Sequence, residues 1–262
     1  MPIIFSAITP HSPILVPSIG KENLSRLKAT ESAMEKLEED LRAGDPDTIL
    51  VISPHGLIQQ DAFTINLNPE FEANFKEFGD FTTKLRFNGD VGLAYKIRES
   101  LETKAPLQLI SEPNLDYGSS IPLSLLTKKL PDVKIIPLHY CGLDLQAHFK
   151  FGQLLKREFM VSKNKVAVIA SGDLSHKLSK DAPAGYSPKG KKFDKKIVDY
   201  LTKRKTAELL EIDRQLIAEA GECGLKSIVI LLGILDGMNY EPKMLSYEAP
   251  FGVGYLVMNF KI

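Results

Sequence analysis

The sequence predicts a single α/β domain over residues 1–262, with a central mixed or mainly parallel sheet flanked by helices. Three observations predict this fold class. Short, apolar, β-branched runs of the kind that form buried strands recur along the chain. Segments with helical spacing of apolar residues lie between those runs. The 262 residues are 44% hydrophobic and 25% charged, as in ordinary globular proteins that bury a large core.

Six apolar runs are predicted to be strands of this sheet. They are Ile3–Ile8, Thr48–Ile52, Leu107–Ile110, Val133–Leu138, Val166–Ala170 and Val253–Phe260. Strands that alternate with helices along a chain favour a layered fold built around one sheet. We therefore expect these runs to lie side by side, covered by helices.

Six segments between these runs are predicted to be helices. In the first, Glu22–Leu41, five apolar side chains lie on roughly one face: Leu24, Leu27, Met34, Leu37 and Leu41. The other five are Val91–Leu101, Ser119–Lys129, Leu145–Phe159, Lys191–Lys203 and Leu225–Leu235. The Pro- and Gly-containing segment Asp181–Gly190 is predicted to be a surface loop of the single domain, not a linker between two.

Charge and composition argue against several classes of function. Lys+Arg and Asp+Glu both number 33, so the formal net charge is zero and nothing favours a nucleic-acid partner. The longest apolar runs, about a dozen residues, are too short to cross a membrane. The N-terminal MPIIFSAITPHSP has no basic segment, so no signal peptide is predicted. The two cysteines are far apart, which favours a reducing, cytoplasmic setting.

The placement of the five histidines is the strongest functional signal in the sequence. His11, His55, His139 and His176 each follow a predicted strand, whereas His148 lies within a helical pattern. The carboxyl ends of strands form the ligand-binding edge of an open α/β sheet. One such histidine is usually an ordinary loop residue, but four together indicate a shared site, because histidine is the commonest metal ligand and acid–base group near neutral pH.

Two of these histidines differ from a third in their local sequence. His11 and His55 each follow a proline, which restricts the preceding backbone and suits a pre-organised metal ligand. His176 ends the segment SGDLSH, in which Ser171 and Gly172 allow a tight turn and Asp173 can orient neighbouring groups. That arrangement favours a general base held beside a metal, although Ser and Asp here also suit a helix cap.

A histidine pair needs an anionic partner to hold Fe(II) with open positions for substrate and dioxygen. Glu222, in AGECG, is the preferred candidate, and Glu248, in SYEAPFGVGY, is the alternative. Each glutamate also suits a structural role, Glu222 at a helix N-terminus and Glu248 in a turn. Cys223 is a softer ligand, better suited to copper or zinc.

The motifs together resemble the catalytic B subunit superfamily of class III extradiol ring-cleavage dioxygenases over nearly the whole chain. The resemblance rests on PHSPILVP, SPHG, SGDLSH, AGECGLKSIVILLG and SYEAPFGVGYLV. The last third looks most like the prokaryotic branch associated with AmmeMemoRadiSam systems.

The resemblance implies a role for individual residues. It implies that His11 and His55 bind iron, that His176 is the active-site base, and that Glu222 stands where the family's carboxylate ligand lies. The related Memo proteins carry a cysteine in a CG motif, which Cys223-Gly224 matches. Where ring-cleaving members often have a substrate-binding histidine in DHG, this chain has Asp116-Tyr117-Gly118, so Tyr117 or His139 is expected to fill that role.

These observations predict a non-haem Fe(II)-dependent extradiol dioxygenase that takes a small aromatic diol and dioxygen. The alternative is a Memo-like protein that binds copper or iron for redox or scaffolding work without dioxygenase activity. A zinc hydrolase is a third interpretation, since two histidines and a carboxylate also bind zinc. The resemblance further implies a homodimer, and no nucleic-acid or membrane partner is expected.

Overall fold

All the β-strands within residues 2–262 belong to one mixed, mostly parallel sheet of ten strands in a single α/β domain. The computed structural model describes residues 2–262. Its strands are β1 (Ile3–Thr9), β2 (Thr48–Ser53), β3 (Phe63–Asn66), β4 (Glu70–Phe75), β5 (Asp80–Gly89), β6 (Leu107–Ile110), β7 (Lys134–His139), β8 (Val166–Ser171), β9 (Glu241–Glu248) and β10 (Tyr255–Lys261). The predicted fold class is confirmed.

The helices lie on both faces of this sheet. They are α1 (Pro17–Gly20), α2 (Lys28–Gly44), α3 (Val91–Leu101), α4 (Tyr117–Leu126), α5 (Leu145–Val161), α6 (Pro188–Thr202), α7 (Thr206–Leu210), α8 (Arg214–Ala220) and α9 (Leu225–Leu235). Short 3-10 helices cover Pro13–Leu15, Lys21–Leu27 and Lys76–Phe78. Within residues 2–262, none of the helices is long and apolar enough to cross a membrane.

Four parallel strands form the centre of the sheet, in the order β7-β2-β8-β1. Strands β10 and β9 continue the sheet beyond β1 in antiparallel pairing. The register aligns the carboxyl ends of the central strands, because Ser53 is paired with His139 and Thr9 with Ser171. The residues that follow these four strands therefore lie at the same edge of the sheet.

Alternate residues of the central strands pack into two separate apolar layers. Leu50 and Ile52 of β2 lie in the layer formed with α3, α5, α6 and α9. Ile49 and Val51 of the same strand lie in the layer formed with α2 and α4. Burial on both faces explains why these strands are continuous apolar runs in the sequence, and it stabilises the sheet by about 25 cal/mol per Å² of apolar surface removed from water.

Four strands and three short helices were not predicted from the sequence. Strands β4, β5 and β9 are partly exposed and carry charged residues, so they do not form continuous apolar runs. Strand β3 is only four residues long. Helices α1, α7 and α8 have four, five and seven residues, too few to establish a helical period.

Some predicted boundaries also differ from the structure. The predicted helix Glu22–Leu41 is divided, because its first part is the 3-10 helix Lys21–Leu27 and only Lys28–Gly44 is α-helical. The predicted helix Ser119–Lys129 instead spans Tyr117–Leu126, since the Asp116 side chain caps its first turn. Helices Val91–Leu101 and Leu225–Leu235 agree with the prediction.

Candidate metal centre

Three side chains from distant parts of the chain meet at the carboxyl edge of the central strands. The Nε2 atoms of His11 and His55, from the loops after β1 and β2, are 3.2 Å apart. The sulfur of Cys223, from the loop before α9, is 3.6 Å from the Nε2 of His11. One ligand atom from each of the three side chains lies within 4.8 Å of the other two. We call these residues the His-His-Cys group.

Close backbone contact brings Cys223 to this edge. Gly172, directly after β8, approaches Gly224 so closely that a Cβ atom on Gly172 would be 2.1 Å from the Gly224 Cα. The Asp173 amide donates a hydrogen bond to the Cys223 sulfur at 3.3 Å. Glycine at both positions is therefore required for the loop before α9 to pack against SGDLSH.

The donor set of the His-His-Cys group fits a metal ion. Burial lowers the pKa of His11 to about 3. The pKa of His55 is lowered to about 4, mainly by burial and also by the neighbouring His11. Both imidazoles are thus neutral at pH 7, the form that binds metal. Burial raises the pKa of Cys223, and a bound cation would counter this by stabilising the thiolate. Two imidazoles and a thiolate suit zinc, copper or iron.

The two glutamates considered as third ligands both cap helices. Glu222 Oε2 accepts a 2.6 Å hydrogen bond from the Leu225 amide at the start of α9. Glu248 Oε1 accepts one of the same length from the Thr30 amide in the first turn of α2. Neither carboxylate joins the His-His-Cys group in the described part of the chain. Burial raises the pKa of Glu222 to about 7.

A different carboxylate, Asp173, lies beside the group. Its Oδ1 accepts a hydrogen bond from the His11 amide at 3.2 Å, and its Oδ2 is 3.7 Å from the His11 Nε2. Burial raises the pKa of Asp173 to about 6. The sequence marked Asp173 only as a residue that orients its neighbours, and its position after β8 was the available signal for this proximity.

Asp116 connects the second strand to His139. It accepts hydrogen bonds from the Ser53 hydroxyl, from the Ser119 amide and hydroxyl, and from the Nε2 of His139 at 3.2 Å. Burial alone would raise the pKa of Asp116, but the hydrogen bonds from His139, Ser53 and Ser119 lower it to about 2. Since the His55 amide in turn donates to the Ser53 oxygen, the loop that carries His55 is anchored through Asp116.

Two tyrosines line the site. The Tyr117 ring stacks on His55, with centroids 4.1 Å apart and planes inclined by 27°, and meets His11 edge-on at 5.5 Å. Burial raises the pKa of Tyr117, so it is a neutral hydrogen-bonding group at pH 7. Tyr140 follows His139, and its pKa is raised by burial and by the nearby Glu222 and Cys223.

The remaining histidines occupy different positions around the group. His176 is half-buried, and its Nε2 is 3.6 Å from the Cys223 sulfur. His139 contacts Asp116 and does not belong to the His-His-Cys group. His148 lies inside α5, where its Nδ1 bonds to the Asp144 carbonyl at 2.6 Å. The structure thus brings His11, His55, His176 and Tyr117 together and keeps His139 behind them.

The comparisons with known proteins cover almost the whole chain. Residues 6–258 match the family model for the catalytic LigB subunit of aromatic ring-opening dioxygenase. The chain is 32% identical over 264 residues to Protein CA_C1420 of Clostridium acetobutylicum. That alignment covers 97% of this chain but only 56% of the Clostridium protein, so the chain spans little more than half of this relative.

Two Escherichia coli proteins are also similar. The chain is 26% identical over 248 residues to 3,4-dihydroxyphenylacetate 2,3-dioxygenase, covering 88% of this chain and 89% of that protein. The crystal structure of the uncharacterized protein JW3007 from strain K12 matches with a TM-score of 0.68 and 17% identity, covering 98% of this chain and 99% of that one. At this identity the second likeness shows the fold alone.

Proposed function

The chain belongs to the family of catalytic LigB subunits of aromatic ring-opening dioxygenases, and from this membership we propose that it is a non-haem Fe(II)-dependent extradiol dioxygenase acting on a catecholic substrate. The observation that carries the proposal is the convergence of the His11 and His55 Nε2 atoms beside His176. The relative named 3,4-dihydroxyphenylacetate 2,3-dioxygenase supports an aromatic diol as substrate.

We propose that His11 and His55 hold the metal and that Cys223 supplies the third donor. The position of the Cys223 sulfur supports this assignment over Glu222, whose carboxylate would first have to leave the Leu225 amide. When bound, Fe(II) would supply positions for both reactants and the electron transfer that ring opening with dioxygen requires.

Tyr117 is proposed to bind and orient the aromatic ring of the substrate. Its phenol stacks on His55 at the half-buried side of the group, so a ring bound there would contact both an aromatic face and a neutral hydroxyl. Asp116 and His139 hold the first turn of α4, on which Tyr117 lies. His139 is therefore proposed to affect substrate binding indirectly, by keeping Tyr117 in position.

His176 is proposed to be the general base. Its Nε2 would accept the proton of a substrate hydroxyl and later return it to an oxygen of the product. Two features support this role: the imidazole is half-buried, and it lies next to the His-His-Cys group without belonging to it. Aromatic walls and buried strand ends would exclude bulk water from the reacting atoms.

The test is aerobic turnover of a panel of catechols by the Fe(II)-loaded protein. The reaction is monitored by the absorbance of a yellow ring-opened product. We expect product from at least one catechol, and we expect His176→Ala to lower the rate by about 100-fold or more. Lys180→Ala, an exposed change in the same loop, is the matched control and should keep the full rate. No product from any catechol, or full activity of His176→Ala, would refute the proposal.

A second candidate function is favoured by Cys223 itself. A soft sulfur donor in place of a carboxylate suits copper, and a Memo-like protein would bind copper or iron for redox or scaffolding work. Metal content and affinity discriminate between the two functions. Loss of both iron and catechol turnover in Cys223→Ala supports the first, whereas loss of copper in Cys223→Ala from a protein that turns over no catechol supports the second.

We further propose that the chain acts as a homodimer, as the sequence resemblance implies, and in the cytoplasm, as its two separated cysteines favour. Light scattering after size-exclusion chromatography should give twice the mass of the chain. A single-chain mass at micromolar concentration would contradict the dimer.

A further inference from the structure

The hydroxyl of Ser171, the last residue of β8, lies between a proposed metal ligand and the first turn of α4. Its Oγ is 3.1 Å from the Nδ1 of His11 and 2.5 Å from the carbonyl oxygen of Gly118. Ser171 and His11 are both buried, with 0% and 2% of their surface exposed, so water does not compete for these bonds. The two contacts form a hydrogen-bonded path from Gly118 through Ser171 to His11.

The number of polar hydrogens on the Ser171 and Gly118 groups fixes the direction of both hydrogen bonds. A serine hydroxyl has one hydrogen, and a carbonyl oxygen can only accept. Ser171 must therefore donate to Gly118, and its oxygen is left to accept a hydrogen bond from the His11 ring. Nδ1 of His11 consequently carries the ring hydrogen, and the Nε2 lone pair is directed at His55 and Cys223.

The Gly118 carbonyl is free to accept because of a proline one helical turn later. In α4 this carbonyl would normally accept from the amide of the fourth following residue, but that residue is Pro122, which has no N–H. Gly118 must also be glycine, since a Cβ atom there would be 2.5 Å from the Ser53 hydroxyl and 3.0 Å from the His55 ring. Gly118 and Pro122 thus leave one acceptor for Ser171.

We propose that Ser171 is a positioning residue that holds His11 in the Nδ1–H tautomer, with the Gly118 carbonyl, left unpaired by Pro122, as the terminal acceptor. The inference rests on the ligand role proposed for His11, because only that tautomer presents Nε2 to a metal. Partners of this kind orient ligating histidines and raise their basicity. The segment Asp116-Tyr117-Gly118 therefore contributes a backbone acceptor to the site as well as the Tyr117 ring.

The tautomer can be measured directly in the metal-free protein at pH 8 by long-range ¹H–¹⁵N NMR correlation, with His11→Gln used to assign the resonance. We expect a protonated Nδ1 and an unprotonated Nε2 for His11 in the wild type. Ser171→Ala should lose this single tautomer and should lower the zinc affinity about 10–100-fold. Ser6→Ala is the matched control, because Ser6 is a buried serine of β1 whose hydroxyl has no hydrogen-bond partner within residues 2–262.

A wild-type His11 with its hydrogen on Nε2 would overturn the proposal, and this result does not depend on whether Ser171→Ala folds. Unchanged tautomer and zinc affinity in folded Ser171→Ala would overturn it equally. The measurements use neither iron nor turnover, so they are independent of the dioxygenase assay. A protein with the expected tautomer but no ring-cleaving activity would support this inference while refuting the proposed reaction.

Discussion

The two ends of β2 both carry buried polar residues, but those residues are paired in different ways. At the amino end, Asp90 accepts hydrogen bonds from the Thr48 hydroxyl at 2.5 Å, the Asn164 amide at 3.0 Å and the Leu93 amide at 3.0 Å. At the carboxyl end, beyond Ser53, the Nε2 atom of His55 faces the Nε2 atom of His11. Donors meet acceptors at the amino end, whereas ring nitrogens of the two proposed metal ligands face each other at the carboxyl end.

This difference distinguishes a structural polar cluster from the proposed metal site. A buried polar group costs free energy unless it is paired, and the Asp90 cluster meets that requirement within the protein. The His-His-Cys group concentrates lone pairs in a small volume, which a bound cation would stabilise. We therefore expect changes at the amino end to alter stability alone, and changes at the carboxyl end to alter metal binding.

The largest expected effect is at the carboxyl end. Cys223→Ala should lower the affinity for copper or zinc by more than about 100-fold, because removal of a direct ligand costs more than removal of a residue that supports one. Isothermal titration calorimetry measures this. Cys141→Ala, at the second cysteine of the chain, which is buried, should bind metal like the wild type. Equal affinities for all three proteins would show that the sulfur is not a ligand.

The next effect is on the pH dependence of stability and concerns Asp194, which lies near the same edge. It accepts hydrogen bonds from Tyr247 and the Ser175 amide, but burial outweighs them and raises its pKa to about 6. Because the folded protein then binds this proton more tightly than the unfolded chain, protonation stabilises the fold at low pH. That contribution is lost as the pH rises from about 4 to about 6.

Asp194→Asn lacks this titration. Its unfolding free energy relative to the wild type should therefore rise by up to about 3 kcal/mol between pH 4 and pH 7, at 1.36 kcal/mol per unit of pKa shift. Urea denaturation at the two pH values measures the difference. A constant difference between variant and wild type would mean that Asp194 titrates normally in the folded protein.

A smaller effect is expected at the amino end of β2. Asp90→Ala removes the cap of α3 and leaves Thr48 and Asn164 without their acceptor, so the unfolding free energy should fall by about 2 kcal/mol. Metal affinity should not change. A folded Asp90→Ala protein with weakened metal binding would show that the two ends of the strand are coupled, contrary to the comparison above.

The smallest effect is expected for Glu222. Glu222→Ala should lower the unfolding free energy by about 1 kcal/mol through loss of the α9 cap, and Glu222→Gln should lose less because it keeps an acceptor. Neither should alter metal affinity if Cys223 is the third donor. A tenfold loss of iron affinity in both variants would instead identify Glu222 as a ligand.

Much of this molecule follows from short-range patterns. The central strands were predictable because burial on both faces produces continuous apolar runs, and the positions of His11, His55 and His176 after those strands indicated a common edge. Strands β4, β5 and β9 were not predictable, because partial exposure gives them mixed polar sequences. The role of Asp116 was also missed, since its partners Ser53 and His139 are distant in sequence.

The choice between neighbouring residues required the tertiary structure. The sequence by itself indicated that two imidazoles follow buried strands and so reach one sheet edge, because local apolar patterning marks those strands. It offered Glu222 and Cys223 of AGECG as candidate donors. It did not determine whether Glu222 or Cys223 faces that edge. The close approach of Gly172 and Gly224 places the Cys223 sulfur beside His11, and the Leu225 amide binds the Glu222 carboxylate at the start of α9. This packing depends on contacts between segments about 50 residues apart in sequence, which local patterns do not reveal.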